Sequence, residues 1–280
     1  MIARGNPRGL SCERPMKRFA WLTDIHLNFL EGHTCSRFLD KVAREQPDGI
    51  LISGDLAEGH TIETYLRMVA QRLTCPVYFV LGNHDFYFSN FREVHQTIRN
   101  LCCAESNLHW LNDGGIIPLT GNTALVGHDG WADGRFGDFF NSDVEMTDYF
   151  LIEDLARMDF HSRFEKLNHL GDEAAAFVDR LLPEALRRFE RVILVTHVPP
   201  FREACLYDGE ICDDNYLPHF ACRALGESLT NIMQDFPEGH LTVLCGHTHG
   251  RAVVEVAPNL VVKTGGAEYG SPVIQEILTV

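Results

Sequence analysis

Five apolar segments of the chain run directly into side chains of the kinds that bind metal ions. In chain order, the residues that follow these segments are Asp24 and His26, Asp55, Asn83 with His84 and Asp85, His197, and His247 with His249. Side chains two residues apart on an extended backbone point the same way, so the first and last sets can each direct two groups into one crevice. The pattern therefore suggests metal chemistry at a shared site.

The segments that precede these residues have the character of buried strands. They are FAWLT (19–23), GILISG (49–54), VYFVLG (77–82), RVILVT (191–196) and LTVLCG (241–246). Amphipathic stretches that follow each of the first three segments predict helices over 34–45, 61–73 and 89–101. This alternation favours a mostly parallel sheet with helices on its faces. Ligands bind at the carboxyl ends of strands in such sheets, where the polar residues stand.

Each motif by itself has an ordinary structural explanation. An Asp-x-His tripeptide is common by chance, and Asn-His-Asp can simply form a turn closed by an Asx hydrogen bond. The argument for a site rests on five such strand ends occurring in one chain.

The rest of the chain predicts one domain over residues 16–280, after a ragged N-terminal segment at 1–15. Residues 127–147 are rich in Gly, Asp and aromatic residues, which suits a long ordered loop. We expect an insertion or lid over 127–160. Further expected elements are helices over 148–159, 172–189 and 215–235, and closing strands at 252–257, 260–265 and 272–278. Because no helices separate these last strands, they should pair antiparallel.

Composition excludes several classes of protein. Apolar residues make up 45% of the 280 residues and charged residues 22%, which is ordinary globular usage. The formal charge of −15 repels phosphate backbones, which argues against extended nucleic acid as a partner. The nine cysteines lack paired spacing, which favours free thiols in a reducing compartment. No apolar run approaches the roughly 18–20 residues that span a bilayer. We therefore expect a cytoplasmic protein without a membrane partner.

The ordered blocks D-x-H, G-D, G-N-H-D, an isolated His, and G-H-x-H resemble those of the calcineurin-like metallophosphoesterases. The resemblance runs from Asp24 to His249. It implies an α/β (α+β) fold: a four-layer β-sandwich of mixed sheets flanked by helices. The run THVPP (196–200) and the GHTH block are most similar to bacterial cyclic-nucleotide and small-molecule phosphodiesterases. The G-D block lacks the arginine usual in Ser/Thr protein phosphatases, which disfavours that branch.

The resemblance also implies a ligand set for two transition metal ions, Mn, Fe or Zn. Mixed imidazole and carboxylate ligands suit these metals. The first ion would be held by Asp24, His26, Asp55 and His249. The second would be held by Asp55, Asn83, His197 and His247, so that Asp55 bridges. A metal-bridging hydroxide would then attack the phosphorus of a phosphodiester or phosphomonoester.

Two further residues are expected to act in catalysis. In the family pattern His84 faces the substrate, where it stabilises charge or protonates the leaving group. Asp85 has two alternatives of equal weight: it hydrogen-bonds His84 and holds its orientation, or it caps the turn.

Loops should select the substrate, a small phosphoester. We expect the aromatic residues of 127–147 to bury the loop against the body of the domain. The alternative is that they form a surface on which a base or sugar of the substrate stacks. The aromatic residues are Trp131, Phe136, Phe139 and Phe140, with Arg135 as a candidate phosphate contact. Further candidates for substrate contact are His60, Arg202 and Arg251, which stand near the ligand blocks, and Glu268 and Tyr269, which follow the glycine pair Gly265-Gly266. Two other functions stay open: a metal-dependent nuclease, and a catalytically silent protein-binding scaffold of the same fold.

Overall fold

The computed structural model describes residues 16–207 and 209–280, so the predicted ragged segment at 1–15 lies outside the described residues. The strands form two large sheets and a two-stranded hairpin. They are β1 (Arg18–Leu22), β2 (Gly49–Ser53), β3 (Val77–Val80), β4 (Leu108–Trp110), β5 (Ile117–Pro118), β6 (Thr123–Gly127), β7 (Arg191–Val195), β8 (Leu206–Tyr207), β9 (Glu210–Ile211), β10 (His240–Cys245), β11 (Ala252–Ala257), β12 (Leu260–Thr264) and β13 (Glu276–Thr279).

The α-helices range in length from single turns to 29 residues. They are α1 (Gly32–Arg44), α2 (Ile62–Arg72), α3 (Phe91–Ala104), α4 (Asp148–Leu151), α5 (Glu153–Ala156), α6 (Phe160–Arg188), α7 (Leu217–Phe220) and α8 (Arg223–Asp235). Among the described residues, no helix is both long and apolar enough to cross a membrane.

Two mixed sheets face each other. One has the strand order β13-β1-β2-β3-β4, and the other has the order β11-β12-β10-β7-β6-β5. Apolar side chains of both sheets, among them Trp21, Leu51, Ile193 and Leu244, form the core between them. Helices α1 to α3 cover the outer face of the first sheet, and α6 and α8 cover that of the second. The resulting helix–sheet–sheet–helix arrangement confirms the predicted sandwich.

The closing strands depart in part from the expected antiparallel pairing. β11 and β12 are antiparallel, but β12 lies between β11 and β10 and pairs with β10 in parallel. β13 leaves this sheet altogether and pairs antiparallel with β1 in the other one. The reason is topological: β11 runs back along the outer edge of the sheet, so the returning β12 has the same direction as β10.

The helices also differ from the sequence prediction. The helix expected over 148–159 is two single turns, α4 and α5, while α6 begins at Phe160 rather than at 172. The side chain of Asp159 caps α6 by accepting the backbone N–H groups of His161 and Ser162. The predicted helix over 215–235 is broken between α7 and α8.

Candidate metal centre

The candidate ligands stand at the carboxyl ends of strands from both sheets. Asp24 and His26 follow β1, Asp55 follows β2, and Asn83 lies just beyond β3. From the other sheet, His197 follows β7, while His247 and His249 follow β10. All of these residues meet at one edge of the sandwich, and all but His249 are nine-tenths or more buried.

Four of these residues make up what we call the first group: Asp24, His26, Asp55 and His249. Their donor atoms all lie within 4.8 Å of one another. His26 Nε2 is 3.3 Å from His249 Nε2 and 3.8 Å from Asp55 Oδ2, and His249 Nε2 is 3.6 Å from Asp24 Oδ1. Two imidazoles and two carboxylates at this spacing fit one Mn, Fe or Zn ion.

The second group consists of Asp55, Asn83, His197 and His247. Asn83 Oδ1 lies 3.0 Å from both His197 Nε2 and His247 Nδ1. His197 Nε2 is also 3.5 Å from Asp55 Oδ2. The same carboxylate oxygen of Asp55 therefore faces both groups, which is the position that a bridging ligand needs.

The backbone at this edge is held in an uncommon conformation. Asp24, His26, Asp55, His247 and His249 all have positive φ, between 38° and 73°. Such a conformation costs about 1–3 kcal/mol for a residue other than glycine and persists only where the surrounding structure imposes it. Five instances within one cluster are typical of a functional site rather than of a packing core.

Hydrogen bonds fix which nitrogen of two histidines faces the second group. His197 Nδ1 lies 2.8 Å from the backbone oxygen of Ser53, and His247 Nε2 lies 3.1 Å from that of His219. A carbonyl oxygen can only accept, so each of these nitrogens carries the proton. The opposite nitrogen, Nε2 of His197 and Nδ1 of His247, is the one turned toward the second group, where a metal would bind it.

Asn83 is oriented by Asp148, the first residue of α4. Its Nδ2 donates to Asp148 Oδ1 over 2.8 Å, and the hydroxyl of Tyr87 donates to the same oxygen over 2.7 Å. Asp148 is buried, at 4% exposure. Because the amide nitrogen is engaged, the amide oxygen of Asn83 must face the two histidines of the second group.

Side chains of residues 142–149 also fix the position of His219, whose backbone carbonyl oxygen accepts a hydrogen bond from His247 Nε2. The His219 ring contacts Ser142 Oγ over 2.9 Å and the hydroxyl of Tyr149 over 2.5 Å. Residues 142–149 thus contact Asn83 directly, through Asp148, and reach His247 through His219. Sequence reasoning missed Asp148, Tyr87 and His219, because nothing near them in the sequence links them to the ligand blocks.

Burial and mutual attraction set the protonation of the cluster. Burial lowers the pKa of His26 and of His247 to about 3, so both rings are neutral and keep a lone pair. For Asp55, burial is outweighed by attraction to His197 and His84, which holds its pKa well below the usual range. Burial likewise opposes the charge on His197, but the Asp55 carboxylate raises its pKa to about 10.

His84 lies at the open side of the cluster. Its Nε2 is 4.0 Å from Asp55 Oδ2 and 3.4 Å from the hydroxyl of Tyr269. Its ring packs against the rings of Tyr87 and His26. The structure thus brings Tyr269 to the site, whereas Glu268 does not line the cavity there.

Asp85 hydrogen-bonds to backbone groups and not to His84. Its Oδ1 accepts from the backbone N–H groups of Leu56 and Ala57 over 2.9 and 2.8 Å, and its Oδ2 accepts from that of Gly82 over 2.8 Å. No hydrogen bond joins Asp85 to His84 in the described part of the chain. The short 3-10 helix His84–Phe86 sends neighbouring side chains in different directions. Asp85 therefore ties the loop after β2 to the loop after β3. Of the two alternatives for this residue, the hydrogen bond to His84 is not formed, and the bond from the Gly82 N–H is of the kind that caps a turn.

The aromatic residues of 127–147 mostly anchor the loop. Trp131 packs on Phe86 and Phe91, and Phe139 packs on Phe164. The other candidates lie outside the cavity, including Phe136, Phe140, His60, Arg202 and Arg251. Arg135 pairs with Asp133 and Asp172, and Arg202 pairs with Asp214. Neither arginine guanidinium is left to meet a phosphate at the metal centre.

Glycines beside the ligands allow the strands to approach closely. A Cβ at Gly82 would lie 2.6 Å from the backbone nitrogen of Asp55 and 2.6 Å from His197 Cε1. We expect Gly82→Ala to displace the Asp55 carboxylate and to lower metal content and turnover about 10- to 100-fold. Metal analysis after gel filtration measures this. Gly32→Ala is the matched control, because no atom lies within 4 Å of its added Cβ. Equal metal content in both variants would contradict the prediction.

Comparison with known proteins agrees with this geometry. A family model described as calcineurin-like phosphoesterase matches residues 17–251. A curated relative, a probable cyclic nucleotide phosphodiesterase (PSM_A2567) of Pseudoalteromonas sp. (strain SM9913), is 34% identical over 86 residues. That match covers 26% of this chain and 33% of the relative, so it spans about a third of the relative's length.

Solved structures share the fold at low identity. A phosphopantetheinyl hydrolase (PptH) from Mycobacterium tuberculosis superposes with a TM-score of 0.61 at 16% identity, over 89% of each chain. A dimetal phosphatase from Danio rerio superposes with a TM-score of 0.57 at 14% identity, over 92% of this chain and 90% of that one. Both likenesses concern the arrangement of the sheets and helices.

Proposed function

This chain belongs to the calcineurin-like phosphoesterase family, and we propose that within it the protein hydrolyses small phosphodiesters at a centre of two transition metal ions. The chain is thus a hydrolase of phosphate esters. The observation that carries the finer proposal is the pair of ligand groups that share Asp55 Oδ2. The likeness to a probable cyclic nucleotide phosphodiesterase supports a diester as the substrate.

Each residue of the two groups has a defined task in this proposal. Asp24, His26 and His249 would hold one ion, Asn83, His197 and His247 the other, and Asp55 both. Ions bound there would supply positive charge to the phosphoryl oxygens and lower the pKa of a nucleophilic water molecule. Mn, Fe and Zn all suit this donor set.

His84 completes the proposed mechanism. Its side chain lies beside Asp55 on the cavity side, with Nε2 directed toward the hydroxyl of Tyr269. A proton held at Nε2 can pass to the oxygen that leaves phosphorus. Asp85 contributes indirectly by holding together the loops that carry Asp55 and His84.

The test is a paired assay on protein of known metal content, supplied with Mn. We expect turnover of bis-nitrophenyl phosphate to exceed that of nitrophenyl phosphate. His84→Ala should lower turnover about 10²- to 10⁴-fold, because general acid catalysis contributes that much, while both ions stay bound. His33→Ala is the matched control, since His33 is an exposed histidine of α1 with its side chain 67% exposed.

Other outcomes separate the alternatives. Two bound ions without turnover of either ester would contradict the proposal and favour a protein-binding scaffold. Cleavage of short oligonucleotides with steep salt dependence would favour a nuclease instead.

A further inference from the structure

The cavity in front of the metal centre is large enough for a small diester. It has a volume of about 670 Å³ and is lined at its base by residues of both ligand groups and by His84. The hydroxyl of Thr248, a residue only 2% exposed that also lines the cavity, has no hydrogen-bond partner among the described residues. A buried hydroxyl without a partner is costly, so this atom is placed to bond a ligand.

One wall of the cavity is a run of aromatic rings that begins at the metal centre. The edge of His247 meets Phe220, with ring centroids 5.3 Å apart. Tyr216 stacks on Phe220 and Tyr207 stacks on Tyr216, both with centroids 5.7 Å apart. Tyr207 is 45% exposed, so its ring reaches the mouth of the cavity. An alcohol group that extends from the bound phosphoryl group would lie along these faces.

The charge of the remaining wall is negative. Asp143 and Glu145 line the cavity, and no lysine or arginine is among the described residues that line it. Asp143 is held in place by Asn215, whose Nδ2 donates to Asp143 Oδ1 over 2.6 Å. Carboxylates without cationic partners repel a second anionic group on the substrate and attract a cation.

Aromatic faces and carboxylates together are the surroundings that bind organic cations. A cation over the face of a tyrosine is attracted by the quadrupole of the ring, and quaternary ammonium groups are the usual ligands of such sites. A neutral planar group would be stabilised by contact with the rings, but the carboxylates would add nothing to its binding free energy. Polyanionic alcohols, such as further phosphorylated nucleosides, are repelled.

We infer that the alcohol portion of the substrate carries an ammonium group, which lies against Tyr207 and Tyr216 and near Asp143 and Glu145. The inference rests on the proposed function, because it concerns the diester bound at the same centre. It assigns to these four residues the choice among small phosphodiesters.

The test compares esters that share one leaving group. Nitrophenyl phosphocholine carries the cation, and nitrophenyl 3,3-dimethylbutyl phosphate is its uncharged isostere. We expect kcat/KM to be about tenfold higher for the choline ester, the size of a cation–π and carboxylate contribution. The double variant Asp143→Asn/Glu145→Gln should bring that ratio close to one. Glu238→Gln, at an exposed carboxylate outside the cavity, should leave the ratio unchanged.

The role of the ring is tested separately from that of the carboxylates. Tyr207→Phe keeps the aromatic face and should keep most of the ratio, whereas Tyr207→Leu keeps only the apolar area and should lower it. A ratio near one in the native protein, with bis-nitrophenyl phosphate still hydrolysed, would overturn this inference and leave the proposed function standing.

Hydrolysis of no ester at all would contradict the proposed function. In that case a binding measurement still tests the cation site. Calorimetry with choline and with 3,3-dimethylbutanol on Mn-loaded protein then compares the cation with its isostere directly. Tighter binding of choline supports the cation site, and equal or absent binding overturns it.

Discussion

Asp55→Asn should remove both metal ions and reduce kcat/KM on the order of a thousandfold or more, since bound metal contributes several kcal/mol to transition-state stabilisation. The physical reason is the position of one oxygen: Asp55 Oδ2 faces His26 at 3.8 Å and His197 at 3.5 Å, in different ligand groups. Asparagine offers a neutral oxygen and cannot bridge two cations. Metal analysis and the diester assay measure the two losses.

The control for this variant is Asp235→Asn, which removes a carboxylate at the exposed end of α8. Thermal unfolding adds a readout that does not depend on activity, because a ligand that binds only the folded state raises Tm. Mn should raise the Tm of the native protein and of Asp235→Asn but not that of Asp55→Asn. Two tightly bound ions in Asp55→Asn would contradict the bridging assignment.

Asp148→Ala is expected to lower the affinity for the second metal ion about 10- to 100-fold, although Asp148 belongs to neither ligand group. Its carboxylate oxygen accepts from Asn83 and from Tyr87, and the residue is 4% exposed. Alanine removes the acceptor of two buried donors, at about 1–3 kcal/mol each, and leaves the Asn83 amide only its longer contact of 3.4 Å with the Tyr87 hydroxyl. Stepwise Mn titration should show a loss at one site with the other retained.

Asp148→Asn separates orientation from general destabilisation. Asparagine keeps an oxygen acceptor at the same place, so it should restore most of the second ion's affinity that alanine loses. Cobalt substitution gives a spectroscopic check, because the absorption of the second ion reports its ligand geometry. If the two variants bind the second ion equally weakly, charge and not orientation is the contribution of Asp148. If alanine leaves the affinity unchanged, the positioning role is wrong.

The sequence by itself determined the family and the general fold. Strand-forming apolar runs followed by Asp, His and Asn are local patterns, and local patterns can be recognised without knowing the tertiary structure. The order of the five blocks carries the family resemblance, and the match over residues 17–251 confirms it. The alternation of strands and helices likewise predicted the layered arrangement of the first sheet, since each helix must return the chain to the next parallel strand.

Two features of the fold differ from the sequence prediction, one for a local reason and one for a long-range reason. The sequence prediction ends a helix at Asp159, whereas the Asp159 side chain caps the next helix, so α6 begins at Phe160. The parallel pairing of β12 with β10 was not predicted, because pairing depends on the order of the strands in the sheet and β11 lies between these two strands in the sequence.

Only the tertiary structure decided what surrounds the metal ligands. Asn83 and Asp148 are 65 residues apart, and His247 and His219 are 28 apart. No local pattern joins such pairs, because their contact exists only after both sheets and residues 127–160 have packed together. The same holds for the aromatic and acidic walls of the cavity, which come from segments that are distant in the chain. Ligand types can be read along the sequence, but ligand orientation and substrate choice arise from side chains that folding brings together.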